Sequence, residues 1–178
     1  MMPILVRRMW RAAVLDPDLY DEVEADPRLG WEALWIVLLV SVAGGIGAGW
    51  PHPGGIAFGA AALFCGWLDW AAVTKWLGTS VFPGPETACD FPEMLRTIGF
   101  AASPGLLAIL GIVPEMRVAV FAVTTIWMLA ATVLAVREAL DYATTGPALL
   151  VCAVGWVLQL GAIAAVLTFL VAGTHPAL

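Results

Sequence analysis

The sequence predicts an all-α integral membrane protein, a five-span transmembrane helical bundle with a short N-terminal interfacial helix. Of its 178 residues 61% are hydrophobic and only 12% are charged, whereas a water-soluble domain carries about 25% charged residues. Residues Val118 to Val136 form nineteen consecutive positions without a charge. As a helix this run is about 28 Å long, close to the hydrocarbon thickness of a bilayer. A helix is required because it satisfies the backbone N–H and C=O groups internally in lipid.

Residues 1–30 are predicted to be a cytoplasmic N-terminal segment, amphipathic at first and then acidic. Residues 1–15 read as a modestly amphipathic helix whose basic side carries Arg7, Arg8 and Arg11. Such a helix can lie in the membrane interface, with these arginines as lipid contacts. It can equally pack on the protein's own cytoplasmic loops, and the sequence leaves both readings open. Two Asp-Pro pairs follow, at positions 16–17 and 26–27, and each offers a helix-capping side chain and a proline for the first helical position.

Residues 31–173 are predicted to form the five-helix transmembrane domain, followed by a short outer tail, residues 174–178. The first span carries Gly45 and Gly49, a spacing that lets a neighbouring helix approach closely. The third span is broken by Pro104, which removes a helix hydrogen bond. The predicted spans are about 31–50, 56–77, 97–113, 118–136 and 148–172.

Few polar groups interrupt these spans. Asp69 lies inside the second span, and an ionisable group at that depth is a functional candidate. A protonated acid, or one hydrogen-bonded to a neighbouring helix, is the alternative. Gln159 is the one strong polar group of the fifth span. The break at Pro104 could create a substrate site, although such a kink more often shapes packing. The remaining candidate positions, at the water-exposed end of the fourth helix, are Arg137, Glu138 and Asp141.

The distribution of basic residues predicts the orientation. With five spans and a cytoplasmic N-terminus, seven of the eight basic residues lie inside and only Arg117 lies outside. This is a strong positive-inside pattern. We therefore expect a cytoplasmic N-terminus and an outer C-terminus.

The sequence lacks the residues that several classes of protein need for their function. The chain has no long run of basic residues, so it lacks the basic surface that binds nucleic acids. The three cysteines include no CxxC pair, which disfavours a zinc site or a disulfide framework. His52 and His175 are both predicted outside, and no HExxH, GxSxG or paired-carboxylate motif is present. We therefore predict no catalytic residue, no cofactor and no metal.

The chain resembles a bacterial-type member of the Ypt-interacting-protein (Yip) family of polytopic membrane proteins. The segments that carry the resemblance are DPDLYDEVEADPRLGWEAL, WLGTSVFPG, GFAASPGLLAILGIVP with Trp127 after it, and VREALDYATTGPALL. The resemblance implies a five-span protein with a cytoplasmic N-terminus, no catalytic centre and, for a bacterial member, the inner membrane. Eukaryotic relatives bind small GTPases through a longer N-terminus, and they carry a DLYGP sequence, of which this chain has only Asp18-Leu19-Tyr20. Small-GTPase binding is therefore not expected to carry over.

Two functions follow as expectations. The first is a non-enzymatic scaffold or accessory subunit, with a role like membrane organisation or trafficking, that contacts the bilayer and other membrane subunits or further copies of itself. The alternative is a small transporter or channel whose polar pathway uses Asp69, Gln159 and the break at Pro104.

Overall fold

The computed structural model describes residues 3–50 and 52–173, and within them the chain is helical. The predicted outer tail, residues 174–178, lies outside the described residues, as does Pro51 in the predicted turn between the first two spans. The helices are α1 (Ile4–Ala13), α2 (Pro17–Ala25), α3 (Gly30–Gly47), α4 (Pro53–Trp76), α5 (Phe91–Ala101), α6 (Arg117–Ala139) and α7 (Thr145–Gly173). A 3-10 turn, Pro27–Leu29, precedes α3, a π turn, Leu77–Val81, extends α4, and a 3-10 segment, Ser103–Ile112, follows α5.

The helices confirm the predicted all-α membrane bundle. By length and composition four of them can cross a membrane: α3, α4 with its π turn, α6 and α7. Helix α5 and the 3-10 segment meet at a bend of 46°, and they make a fifth span when counted together. The predicted break at Pro104 is therefore present. The second half of this span is a 3-10 helix, Ser103–Ile112. Of the predicted kink or discontinuous helix, the structure has the discontinuous form, and the 3-10 winding was not predicted.

The N-terminal segment packs on the bundle. Leu19, Tyr20 and Val23 of α2 are fully buried, in one apolar core with residues of α3, α5 and α6. Helix α1 joins this core through Met9, and the Trp127 indole N–H of α6 donates to the carbonyl oxygen of Ala13 at 2.6 Å. Helix α1 therefore packs on helices of the protein itself, and the predicted lipid contacts of Arg7, Arg8 and Arg11 stay a prediction.

The two Asp-Pro pairs behave differently. The Asp26 carboxylate accepts a hydrogen bond from the Arg28 backbone N–H and caps the 3-10 turn, as predicted. Asp16 occupies the position before α2 but makes no capping bond, so that part of the prediction is wrong. Its carboxylate instead accepts from the Arg11 guanidinium at 2.6 Å. Because the Arg11 guanidinium is a cation, this bond adds the attraction of opposite charges to the hydrogen bond.

Glycines let α3 approach its neighbours closely. An added Cβ at Gly45 would lie 2.8 Å from the carbonyl oxygen of Ile56 in α4, so the predicted close approach at Gly45 is confirmed. Gly49 does not take part in it. It lies beyond the end of α3 with a φ of +72°, a conformation that glycine adopts without strain. A second apolar core joins α4, α5, α6 and the first half of α7, and its members include Leu77, Met94, Val136 and Val151.

Candidate functional site

The structure joins the two polar side chains that the sequence singled out in separate spans. The Gln159 side-chain amide of α7 donates a hydrogen bond to the Asp69 carboxylate of α4 at 3.0 Å. Asp69 is exposed on the outside of the bundle, and Gln159 is partly buried. Of the two interpretations of Asp69, hydrogen bonding to a neighbouring helix is therefore the one that the geometry shows.

The pairing of α3 with α4 gives the depth of this hydrogen bond. The backbones of α3 and α4 meet at Gly45 and Gly59, where an added Cβ on Gly59 would lie 3.6 Å from the Gly45 Cα. Because the two helices are antiparallel, Asp69, ten residues after Gly59, is level with Trp35. Trp35 follows the first residue of α3, Gly30, by five positions, so Asp69 lies roughly 8 Å beyond the start of that helix. The pair is therefore within the apolar span, nearer the end at which α3 begins.

Tryptophans pack beside the pair. The Trp67 indole N–H donates to the carbonyl oxygen of Leu95 in α5 at 3.2 Å. Trp70 is buried and meets Trp156 of α7 edge to face, with ring centroids 6.4 Å apart. These contacts hold α4 against α5 and α7, and so they position Asp69 next to Gln159.

A cavity of about 400 Å³ lies between the helices, on the side of the Asp69–Gln159 pair that faces the interior of the bundle. Gln159 and Trp156 line the end nearer Asp69, and Phe121 lines the end nearer the start of α6. Further lining side chains come from α3, α4, the 3-10 segment and α6, and they include Val40, Leu63, Ala108, Thr125 and Met128. Gln159 therefore belongs both to the cavity wall and to the hydrogen bond with Asp69.

The wall of this cavity is predominantly apolar. Thr124 is buried, and its hydroxyl donates to the carbonyl oxygen of Val120 at 2.8 Å within its own helix. Thr124 therefore has its hydrogen bond within α6. The amide of Gln159 is the strongest polar group at the wall.

The break at Pro104 shapes one side of the cavity and does not touch the polar pair. Pro104 is buried, and the Ser103 hydroxyl donates to the carbonyl oxygen of Phe100 at 2.6 Å. Gly105 packs so closely that an added Cβ would lie 2.6 Å from Val40 and 2.8 Å from the Met128 sulfur. The 3-10 segment thus forms a tightly packed wall.

The remaining candidates, Arg137, Glu138 and Asp141, lie at or just after the C-terminal end of α6, away from the Asp69 pair. Arg137 Nε lies 3.6 Å from Glu138 Oε1. Asp141 lies near acids of other elements, Glu24 of α2 and Glu93 of α5. Burial, followed by the negative charges of Asp141 and Glu93, raises the pKa of Glu24 to about 7. The charges at this end of the bundle therefore act on one another across three elements.

Nothing in the sequence marked Arg96 as a structural centre. It is only 8% exposed, and its Nε and Nη2 donate to the carbonyl oxygens of Val23 and Glu24, at 3.1 and 2.7 Å. These carbonyls end α2, where a cation is favourable. Arg96 therefore ties the N-terminal segment to α5.

The arginines of α1 differ in their partners. Arg8 pairs with Glu32, and Arg11 pairs with Asp16 and Glu22. Arg7 is exposed and is in none of the ion pairs found within residues 3–50 and 52–173. Large apolar side chains are exposed on the same helix, among them Ile4 and Trp10.

The comparisons with known proteins identify one family. The family model described as Yip1 domain matches residues 12–167. No curated protein and no solved structure matches the chain. The match covers the N-terminal acidic segment from Ala12 onward and the predicted spans up to Leu167, so it confirms the resemblance to the Yip family.

Proposed function

Because the chain belongs to the Yip1 domain family of membrane proteins, we propose that it is a non-enzymatic scaffold or accessory subunit of a membrane assembly. It binds other membrane subunits, or further copies of itself, through the exposed face of α4 that carries Asp69. Its proposed role is membrane organisation or a role similar to that of trafficking proteins. Small-GTPase binding is not part of the proposal, since the DLYGP sequence is absent.

The observation that carries this proposal is the exposure of the Asp69–Gln159 hydrogen bond at membrane depth. A charged aspartate at the centre of a helix costs roughly 2.5–3.5 kcal/mol to insert into a bilayer. Gln159 satisfies one carboxylate oxygen, and the side chain still faces outward. A polar group on a neighbouring transmembrane helix would bond the rest, and such interhelical bonds are a recognised form of association in lipid.

The exposure of α4 around Asp69 supports this face of the helix as the contact surface. Only 6% of the apolar window of α4 is buried, against 44% for α3. Cys65 is exposed and lies one helical turn from Asp69 on the same side of α4. This side of the bundle therefore offers a long uncovered helix with a single polar centre.

The N-terminal segment supplies the proposed membrane contact. Helix α1 packs on the bundle by Met9 and leaves Ile4 and Trp10 exposed, as suits a helix in the interface. Arg7 is its exposed cation, and Arg8 and Arg11 would reach lipid phosphates only in exchange for, or in addition to, their carboxylate partners. The proposed location is a bacterial inner membrane, with a cytoplasmic N-terminus and an outer C-terminus, because the positive-inside pattern favours this orientation.

A transporter or channel is the second candidate, and one observation favours it. Gln159 lines the intramembrane cavity while it bonds Asp69, so a polar group is accessible from the cavity. A proton or cation pathway would need Asp69 to change its charge or to bind the ion. The Pro104 break borders the same cavity.

Two substitutions of Asp69 separate the candidates. Asp69→Leu removes all hydrogen bonding, whereas Asp69→Asn keeps it and removes only the charge. For a scaffold, extraction in a mild detergent should recover a larger assembly for the wild type and for Asp69→Asn, and mostly single subunits for Asp69→Leu. For a transporter, Asp69→Asn should abolish ion or solute flux in proteoliposomes.

Ile126→Ala is a matched control, since Ile126 is 69% exposed on α6 and does not line the cavity. It should leave the assembly intact. A membrane-permeant bis-maleimide should also capture the partner at Cys65 in intact membranes, in a Cys89→Ser background, because Cys152 is buried. A wild-type protein that is strictly a single subunit, with no adduct at Cys65, would remove the scaffold proposal.

A further inference from the structure

The intramembrane cavity opens sideways. Of its lining residues, Leu63 of α4, Thr125 of α6 and Trp156 of α7 are exposed, and all three lie well inside their helices. An opening at this depth faces hydrocarbon chains. The volume, about 400 Å³, lies within the range of small-molecule sites. An apolar cavity of about 150 Å³ already binds benzene, so this one has room for a longer hydrocarbon segment.

A cation lies just beyond the outer end of the cavity. Phe121 is the lining residue of α6 nearest its start, and Arg117 is one helical turn further out. The Arg117 guanidinium packs over Gly49, and its Nε donates to the carbonyl oxygen of Gly111 at 3.0 Å. Across residues 3–50 and 52–173, no carboxylate lies within ion-pairing distance of Arg117.

These features together have the chemistry of a phospholipid site. An acyl chain needs apolar walls with an entrance from the hydrocarbon layer, and a phosphate needs a cation at the membrane surface. Guanidinium N–H groups bind phosphate oxygens in a fork geometry. Arg117 is also the only basic residue on its side of the predicted topology.

We propose that the cavity holds one acyl chain of a bilayer phospholipid and that Arg117 binds its phosphate. The chain enters between α4, α6 and α7 and runs inward past Phe121 toward Gln159. The site adjoins the face of α4 that carries Asp69, because Gln159 belongs to both. Its test counts lipids on the purified protein, so it does not need a protein partner.

Gly66 offers a direct way to fill the cavity. It lines the wall, and an added Cβ would meet no atom within 4 Å, so a larger side chain projects into the open space. Gly161 of α7 is the matched control, since it too would meet nothing within 4 Å and does not line the cavity. Ala62→Phe is a second filling variant, because Ala62 is another lining residue of α4.

The protein is purified from its membrane, and the retained phospholipids are counted by native mass spectrometry. We expect one phospholipid on the wild type and on Gly161→Phe, and at least a tenfold lower occupancy on Gly66→Phe and Ala62→Phe. In an exchange experiment the wild type should prefer a phospholipid to a diacylglycerol with the same chains, and Arg117→Gln should bind the two equally.

Thermal melts of the filling variants at or above the wild-type midpoint show that loss of lipid is not loss of fold. Full occupancy of a folded filling variant would overturn the proposal. So would a wild type that retains no phospholipid, that retains a different apolar molecule, or that does not distinguish phospholipid from diacylglycerol.

Discussion

At the scale of single residues, Glu24 makes the stability of the protein depend on pH. Burial, then the charges of Asp141, Glu93 and Asp21, raise its pKa from 4.5 to about 7. The folded state thus favours the protonated form. The stabilising contribution of that form is full below about pH 4.5 and is lost as the pH rises through about 7. Above pH 7 the folded protein carries an unfavourable charge at this position.

We predict that Glu24→Gln raises the thermal unfolding midpoint at pH 8 and has little effect at pH 5. The amide resembles the protonated acid and carries no charge at either pH. After allowance for solvent screening at a partly exposed site, the gain is about 1 kcal/mol, or about 2–4 °C for a chain of this size. Unfolding followed by circular dichroism in detergent at both pH values measures it.

Glu115→Gln is the control, because it removes one carboxylate from an exposed loop at the other end of the bundle. It should shift the midpoint equally at both pH values. An equal gain for Glu24→Gln at pH 5 and pH 8 would show that the Glu24 charge is not the cause.

Single residues also show how far sequence reasoning extends. Asp69 and Gln159 could be singled out from the sequence, because polar groups are rare in apolar spans. Their pairing could not, since they are ninety positions apart and only the packing of α4 on α7 brings them together. Arg96 could be placed near the start of a helix from the sequence. Its hydrogen-bond partners could not be predicted, because they are backbone carbonyls, which every residue has.

At the scale of elements, the contact between α3 and the 3-10 segment depends on Gly47. An added Cβ would overlap the carbonyl oxygen of Ala108, and neither backbone can give way easily because Gly111 packs against the same turn of α3. We predict that Gly47→Ala destabilises the protein by about 1–3 kcal/mol, the typical cost of overpacking. Denaturant or thermal unfolding in detergent measures the loss.

Gly54→Ala, in the first turn of α4, is the corresponding control, since its Cβ would meet nothing within 4 Å. Alanine favours a helix more than glycine does, so this variant should be unchanged or slightly stabilised. If Gly47→Ala behaved in the same way, the close contact between these two elements would be absent in the folded protein.

The elements differ in how well the sequence predicts them. The uncharged run that predicts α6 is long enough to be recognised, and the observed helix, Arg117–Ala139, extends it by one residue at the start and three at the end. The 3-10 form of Ser103–Ile112 was missed. Pro104 predicts only a break in the helix. The tighter 3-10 winding of the following residues depends on close packing against Val40, Gly47 and Met128.

At the scale of the whole molecule, the open question with a structural answer is whether α5 and the 3-10 segment cross the membrane together. Gly99, near the end of α5, packs on Ala33 near the start of α3, so the part of the pair before Gly99 begins at or beyond the start of α3. Their end lies beside the end of α3, where Gly111 packs on Gly47. The bent pair therefore runs the full length of α3, which is itself long and apolar enough to span. A re-entrant loop would return to the end at which it began.

We predict that Glu86 and Glu115, which flank the bent pair, face opposite sides of the membrane, with Glu86 in the cytoplasm. In a background without native cysteines, a membrane-impermeant maleimide should label Glu115→Cys in intact cells and Glu86→Cys only after permeabilisation. His52→Cys, in the turn between α3 and α4, should behave like Glu115→Cys. Equal labelling of Glu86→Cys and Glu115→Cys in intact cells would reduce the crossings to four and place Arg137 on the outer side, which the positive-inside pattern opposes.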